Sequence, residues 1–424
     1  MTRSGQPPFD SLQGWLEWQG RLHSTQIELG LERVAEVWRR MGAPSPGRRI
    51  LTVGGTNGKG SCVAFLEAIL GAAGYATVAY SSPHLYRYNE RIRVGGRPVG
   101  DARICAAFER VEAARAQTSL TYFEYGTLAA LEVFAQAGPD VAILEVGLGG
   151  RLDAVNIVDP DVALITNLSL EHTAWLGPDR ETIGREKAGI LRAGGRAVIG
   201  EPAPPASVLR RVRELDVDAA LAGRDFRYRV RDGGWDWHGR LARRRGLPMP
   251  ALRGAFQLDN AAAALMALEM LGPDCPVAQA AVRDGLQAVR LRGRFEVVPG
   301  RIPVILDVAH NPAAARALAA NLQAMPCPGR TLAVFGVLAD KDLAGMVAPL
   351  APMVHTWYTA PPAAERALPR DRLEAGLRAA GAARLHGLEA LGAALKSAQR
   401  DARPGDRILV FGSFITAAEV GALL

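Results

Sequence analysis

Small, basic and hydroxyl side chains follow one another at Gly54-Gly55-Thr56-Asn57-Gly58-Lys59-Gly60-Ser61, between an apolar run (Ile50, Leu51, Val53) and a helical run from Cys62 to Leu70. A strand, a glycine turn and a helix start make an anion cradle, because free backbone N–H groups and the positive end of the helix dipole face one point. Lys59 adds a point charge for β/γ-phosphates, and Ser61 offers a hydroxyl to a metal ion. Composition sharpens the reading. Only Lys59, Lys187, Lys341 and Lys396 are lysines among 50 basic residues, leaving 46 arginines. In a chain so biased toward Arg, a retained Lys marks a place where a guanidinium does not serve.

Hard ligands stand at other strand ends. Glu145 closes the apolar run from Val141 to Leu144, before Val146-Gly147-Leu148-Gly149-Gly150, where a carboxylate is placed to hold Mg²⁺ beside a nucleotide. His172 follows a second strand in Asn167-Leu168-Ser169-Leu170-Glu171-His172, and Ser82 a third in Tyr80-Ser81-Ser82-Pro83-His84. Lys187 sits in a helical Arg185-Glu186-Lys187-Ala188-Gly189.

The glycine loop departs from the usual G-x-x-x-x-G-K-[ST] spacing, since Gly60 separates Lys59 from Ser61. That variant resembles the loop of the Mur ligase superfamily, ATP-dependent enzymes that join an amino acid to a carboxylate. Within it, nearly the whole chain resembles the bacterial folylpolyglutamate synthase/dihydrofolate synthase family. The resemblance implies ATP and Mg²⁺ as cofactors, with Thr56, Asn57, Gly58, Lys59, Gly60, Ser61, Asn260, Arg294, Asp307 and His310 meeting ATP. It assigns one metal ion to Ser82, Glu145 and His172, and the metal that bridges the phosphates to Ser61. Lys187 matches a carbamylated lysine, formed when CO₂ adds to the neutral amine, a conversion open to Lys and not to Arg. Lys59, Lys187, His172 and Glu145 form the expected catalytic set.

Three segments are expected at the folate-type substrate: Glu28-Leu29-Gly30-Leu31; Thr121-Tyr122-Phe123-Glu124, where Phe123 offers a flat face to a pterin; and Leu152-Asp153-Ala154, where Asp153 meets the pterin's amino-amide edge. Two positions differ from the family: Glu28 stands where Asp is frequent, and Ile415 follows Gly-Ser-Phe where His is common, so no catalysis is assigned there. The implied reaction adds L-glutamate to dihydropteroate and to reduced folates through an acyl phosphate. A monofunctional folylpolyglutamate synthase is the closest alternative. A peptidoglycan-type Mur ligase fits less well, because about fifty residues precede Gly54 and its UDP-sugar domain needs roughly a hundred. A regulatory nucleotide switch leaves Asp307–Pro312 unexplained.

The supporting elements are those of an α/β protein. Strands at Thr77–Tyr80, Val141–Val146, Val162–Thr166 and Ala197–Gly200 alternate with helices, which predicts a mainly parallel sheet with ligands at the strands' carboxyl ends. Residues 11–41 read as helical, and about 225–250 as a small hairpin carrying the solvated cluster Arg240 and Arg243–Arg245. The expected domains are 1–292, with the P-loop, and 297–424, a smaller doubly wound α/β domain; the reaction centre is expected in a cleft between them.

At 424 residues, 49% hydrophobic and 22% charged, the chain reads as a soluble enzyme of two domains. Its net charge of +7 is scattered, which argues against nucleic acid as a partner and suits anionic small molecules. Cys62, Cys105, Cys275 and Cys327 lack C-x-x-C pairing, and no basic leader or apolar run of about 18 residues is present, so a cytoplasmic monomer without membrane contact is expected.

Overall fold

The computed structural model describes residues 9, 11–25 and 27–424. They form two compact units: the described part of Met1–Pro250 together with Leu258–Val289, and Ala251–Gln257 together with Arg290–Leu424.

The first unit is built on an eight-stranded sheet. Its strands are β1 (Arg49–Gly54), β2 (Thr77–Tyr80), β3 (Ile92–Val94), β4 (Arg97–Pro98), β5 (Val141–Glu145), β6 (Val162–Ile165), β7 (Arg196–Ile199) and β8 (Asp218–Leu221). They lie in the order β4-β3-β2-β5-β1-β6-β7-β8. From β2 to β8 all neighbours are parallel; β3 and β4 add an antiparallel edge. β5 and β6 are buried along their whole length, which is why they read as continuous apolar runs rather than alternating ones. Because β1 and β5 run in step, with Val53 opposite Glu145, their loops emerge at the same end of the sheet. Helix Lys59–Ala72 starts there and is covered by protein along most of its length, from Ser61 to Leu70.

Three local expectations need correction. The helical stretch read from 11 to 41 is two helices, Leu12–Leu22 and Glu32–Arg40, with Glu28–Leu31 in the connection between them. The polar His23-Ser24-Thr25 and Gly30 interrupt the apolar period, and Gln26 lies outside the described residues. The hairpin is a three-stranded sheet, β9 (Arg227–Arg231), β10 (Gly234–His238) and β11 (Arg243–Leu247). Of the arginines read as a solvated loop, Arg240 lies in the connection after β10, but Arg243–Arg245 form a strand, whose alternation is hidden by a bulge against β10. The indole N–H groups of Trp235 and Trp237, both buried, donate to Pro248 O (2.9 Å) and Ala262 O (3.1 Å).

The second unit holds a six-stranded sheet: β12 (Glu296–Val298), β13 (Val304–Leu306), β14 (Thr331–Phe335), β15 (Thr356–Thr359), β16 (Leu385–Gly387) and β17 (Arg407–Phe411), ordered β12-β13-β17-β14-β15-β16. Only β12 runs antiparallel to its neighbour. Phe335, Trp357 and Phe411 fill the centre of one face, with the two phenyl centroids 4.7 Å apart. Among the described residues, no helix is long and apolar enough to cross a membrane.

Candidate active site

Four strand ends in the first unit, those of β1, β2, β5 and β6, deliver the groups singled out by sequence. The glycine loop after β1 is fastened to the loop after β6: Thr56 N–H donates to Asn167 O (2.8 Å), Asn57 N–H to Asn167 Oδ1 (3.0 Å), and Thr166 Oγ1 to Asn57 O (2.6 Å). Gly58 occupies the left-handed region at φ +86°, and a Cβ there would lie 2.3 Å from Asn260 Oδ1. Glycine is thus demanded by both backbone and space. Asn260 lies inside helix Phe256–Met270, so it is not a helix cap; its side chain packs on the loop instead. Lys59 opens helix Lys59–Ala72 and curls back, donating to Gly55 O (3.1 Å) and Thr56 O (3.0 Å). Ser61 is buried in the same first turn.

Lys187 comes in from another direction. It ends helix Arg180–Lys187, is buried, and donates to Gly55 O at 2.7 Å. Burial first, and then the charge of Lys59, push its ammonium down to about 7, against the opposing pull of Glu171 and Asp153. A large neutral fraction at neutral pH is the state from which an amine adds CO₂.

The metal set divides between loops. Glu145 is buried at the end of β5, and its Oε2 accepts from the Ser82 N–H at 3.3 Å, so residues from adjacent strand ends meet. His172 stands in the left-handed region (φ +51°), an uncommon backbone state for a residue with a Cβ, 3.7 Å from Glu171. Among the described residues no three His, Cys, Asp or Glu side chains converge on one point. The expected set is mixed, one hydroxyl, one carboxylate and one imidazole at strand ends. With two hard oxygen donors, it fits a divalent ion that keeps several waters.

Beside these groups lies an aromatic recess. Phe123 lies with its ring 6.0 Å from Tyr80 and presses on Gly147, where a Cβ would come within 2.5 Å of the ring. Asp153 is buried and caps the turn Ala154–Ile157, accepting from the Leu148 N–H (2.8 Å) and the Val155 N–H (3.0 Å). Burial pushes its carboxyl up to about 6, partly offset by those N–H groups and by Lys59. Ala154 is buried next to it and Leu152 is half-buried. Thr121 caps helix Tyr122–Ala137, and Glu124 completes the capping box, taking the Thr121 N–H at 2.7 Å and Arg33 at 3.0 Å. Both oxygens of Glu124 are thereby engaged in holding the segment together. Arg33 also pairs with Glu28, which links Glu28–Leu31 to this helix start; Leu29, Gly30 and Leu31 remain partly open.

Sequence reasoning overlooked His84, Tyr88 and Arg91 in this recess. Arg91 Nε donates to His84 Nδ1 at 2.9 Å, and its guanidinium lies over the rings of Tyr88 and Tyr122. Burial, with Arg91 close by, pushes His84 down to about 4, so the imidazole is neutral and can accept. His84 directly follows Ser82-Pro83, and Arg91 closes the turn Tyr88–Arg91 just before β3, which pairs back onto β2; nothing in their spacing marks either residue.

In the second unit, Asp307 follows β13 and is buried; its carboxylate accepts from the Phe295 N–H and the Ala309 N–H, both at 2.8 Å. Burial pushes its carboxyl up, against the pull of Arg294. His310 is not the cap of the following helix, which is Asn311; its Nδ1 lies 3.0 Å from Val308 O. Arg294 lies over the Phe414 ring at 5.2 Å, and His310 is 5.9 Å from the same ring.

Residues 53–213 match the Mur ligase middle domain and residues 293–414 the Mur ligase glutamate ligase domain. The dihydrofolate synthase/folylpolyglutamate synthase of Escherichia coli K12 is 47% identical over 412 residues, covering 96% of this chain and 94% of that protein. The chain belongs to the dihydrofolate synthase/folylpolyglutamate synthase family. Two solved structures of this family superpose along 99% of the chain. Escherichia coli FolC in complex with DHPP and ADP covers 99% of both chains at 45% identity, with a TM-score of 0.94. The Yersinia pestis enzyme complexed with AMPPNP and a Mn ion covers 99% of both at 45% identity, with a TM-score of 0.92. Two α/β units of the Mur type, the first with its P-loop at the end of β1, are thus the architecture of the family as well as of this chain.

Proposed function

We propose that the chain is an ATP-dependent carbon–nitrogen ligase that adds L-glutamate to dihydropteroate, giving dihydrofolate, and to reduced folates, giving polyglutamates. The observation that carries this reading is the juxtaposition at one sheet end of a phosphate-type loop, a buried Lys187 held near neutrality, and an aromatic recess with a buried Asp153. Family membership at 47% identity supports both activities rather than the folylpolyglutamate half alone.

A carboxylate repels nucleophiles and has no good leaving group, so it must first be phosphorylated. The loop N–H groups and Lys59 hold the triphosphate and take up charge as its terminal group moves to the carboxylate. Glutamate's amine then attacks the acyl phosphate and phosphate departs. Phe123 stacks on the pterin, and Asp153 accepts from its amino-amide edge. Arg294, Asp307, His310 and Asn260 serve ATP. Ser82, Glu145, His172 and Ser61 would hold divalent ions, which when bound neutralise phosphate charge. Carbamylated Lys187 would present two oxygens to such an ion. We place the enzyme in the cytoplasm as a monomer, with small-molecule partners only; four free cysteines agree with a reducing compartment.

Purified protein given ATP, Mg²⁺ and labelled glutamate is expected to incorporate label with either dihydropteroate or tetrahydrofolate. Incorporation with tetrahydrofolate alone removes the synthase half, and incorporation with neither overturns the reading.

A further inference from the structure

Arg91 is held differently from the arginines beside it. Arg87 pairs with Asp101 (3.3 Å), and Arg93 with Glu67 and Ser81 (2.8 Å each). Arg91 has only an imidazole nitrogen and two rings: His84 Nδ1 at 2.9 Å from Nε, Tyr88 at 5.4 Å and Tyr122 at 5.6 Å from its guanidinium carbon. Among the described residues, no carboxylate pairs with it, and its two terminal NH₂ groups donate to no protein acceptor. The side chain is half-buried, and its carbonyl takes the Ser81 N–H at 2.9 Å, which sets it next to the β2 end and beside Phe123's neighbour Tyr122. A guanidinium held through Nε and packed against two neighbouring rings, with its outer edge unpaired, is a preorganised fork for a planar carboxylate.

We propose that Arg91 binds the spare carboxylate of a folate acceptor: the α-carboxylate of its terminal glutamate, left over when the γ-carboxylate is activated. The proposal rests on the folate reading of the recess. Two other carboxylates compete for this assignment. The incoming glutamate belongs with the segment that matches the glutamate ligase domain, residues 293–414, in the other unit. The reacting carboxylate must leave an oxygen open to the phosphoryl group, which a two-point clamp would occupy. Dihydropteroate carries no spare carboxylate, so Arg91 separates the two activities: it strengthens capture of glutamylated acceptors and offers nothing equivalent to dihydropteroate.

The test compares Arg91→Ala and Arg91→Gln with the wild type on both acceptors, with thermal melting to confirm folding. Loss of a charge-assisted bidentate contact predicts that kcat/KM for tetrahydrofolate falls about 10–100-fold further than kcat/KM for dihydropteroate, carried by KM. A substrate-side arm is independent of folding: a tetrahydrofolate analogue with γ-aminobutyrate in place of glutamate lacks the α-carboxylate. Wild type and variants should use it with equal kcat/KM. Equal losses on both natural acceptors, a rise confined to the KM for glutamate, or a variant effect that persists on the analogue would each overturn the proposal. A wild type inactive on dihydropteroate and tetrahydrofolate alike would instead overturn the functional reading beneath it.

Discussion

The carboxyl end of the eight-stranded sheet and the three-stranded sheet β9–β11 both concentrate charge, and they treat it in opposite ways. β9 and β11 carry Arg227, Arg229, Arg231, Arg243, Arg244 and Arg245, most of them exposed; Arg231 is neutralised by Asp236 at 3.1 Å. Such surface pairs contribute little and tune little. At the sheet end Lys187 and Asp153 are buried and shifted to about 7 and about 6, where either protonation state is accessible at neutral pH. Charge density therefore does not locate the chemistry here. Buried charge that is only partly compensated does.

The largest effect expected from this contrast is at Lys59. Lys59→Ala should lower kcat/KM for both acceptors by about 10³-fold in the glutamate-incorporation assay, with melting close to wild type, because the side chain stabilises transferring charge rather than the fold. Next comes Lys187→Arg, which keeps the positive charge and removes the ability to add CO₂; a loss of about 10²-fold is expected. An activity within a few-fold of wild type would show that the unmodified cation suffices.

A titration gives a smaller and signed effect. The neutral fraction of Lys187 is about half at pH 7 and about one-tenth at pH 6, so ¹³C-carbamate signal at fixed total carbonate should fall through that interval. The linkage has a definite direction. A lysine lowered from 10.5 binds its proton less in the native state than in the unfolded chain, so its contribution to stability is unfavourable below pH 7 and is relieved as pH rises from about 7 to 10.5. Melting of the wild type should show that slope, and Lys187→Met should flatten it. At the other pole, Arg229→Gln on β9 should change kcat/KM by less than about twofold, as a surface substitution away from special features does.

How much of this was legible depended on whether burial wrote itself into the sequence. β5 and β6, covered on both faces, are unbroken apolar runs, and the glycine loop between β1 and its helix needs glycine where Gly58 meets Asn260, so both were readable. The strands β3, β4, β12 and β16 at the sheet margins are two or three residues long and partly or largely solvated, leaving no period to detect. β11 was concealed by its bulge. Arg91 was missed for a different reason: an unpaired arginine is recognisable only once its neighbours are known to be two rings and a neutral histidine, relations between residues 84, 88 and 122 that spacing does not express.

Oxygen-18 placed in the carboxylate of dihydropteroate tests the central claim most directly. Activation by ATP predicts that one labelled oxygen per turnover appears in released inorganic phosphate, and that the amide formed retains the other. Phosphate free of label after complete turnover would contradict the account.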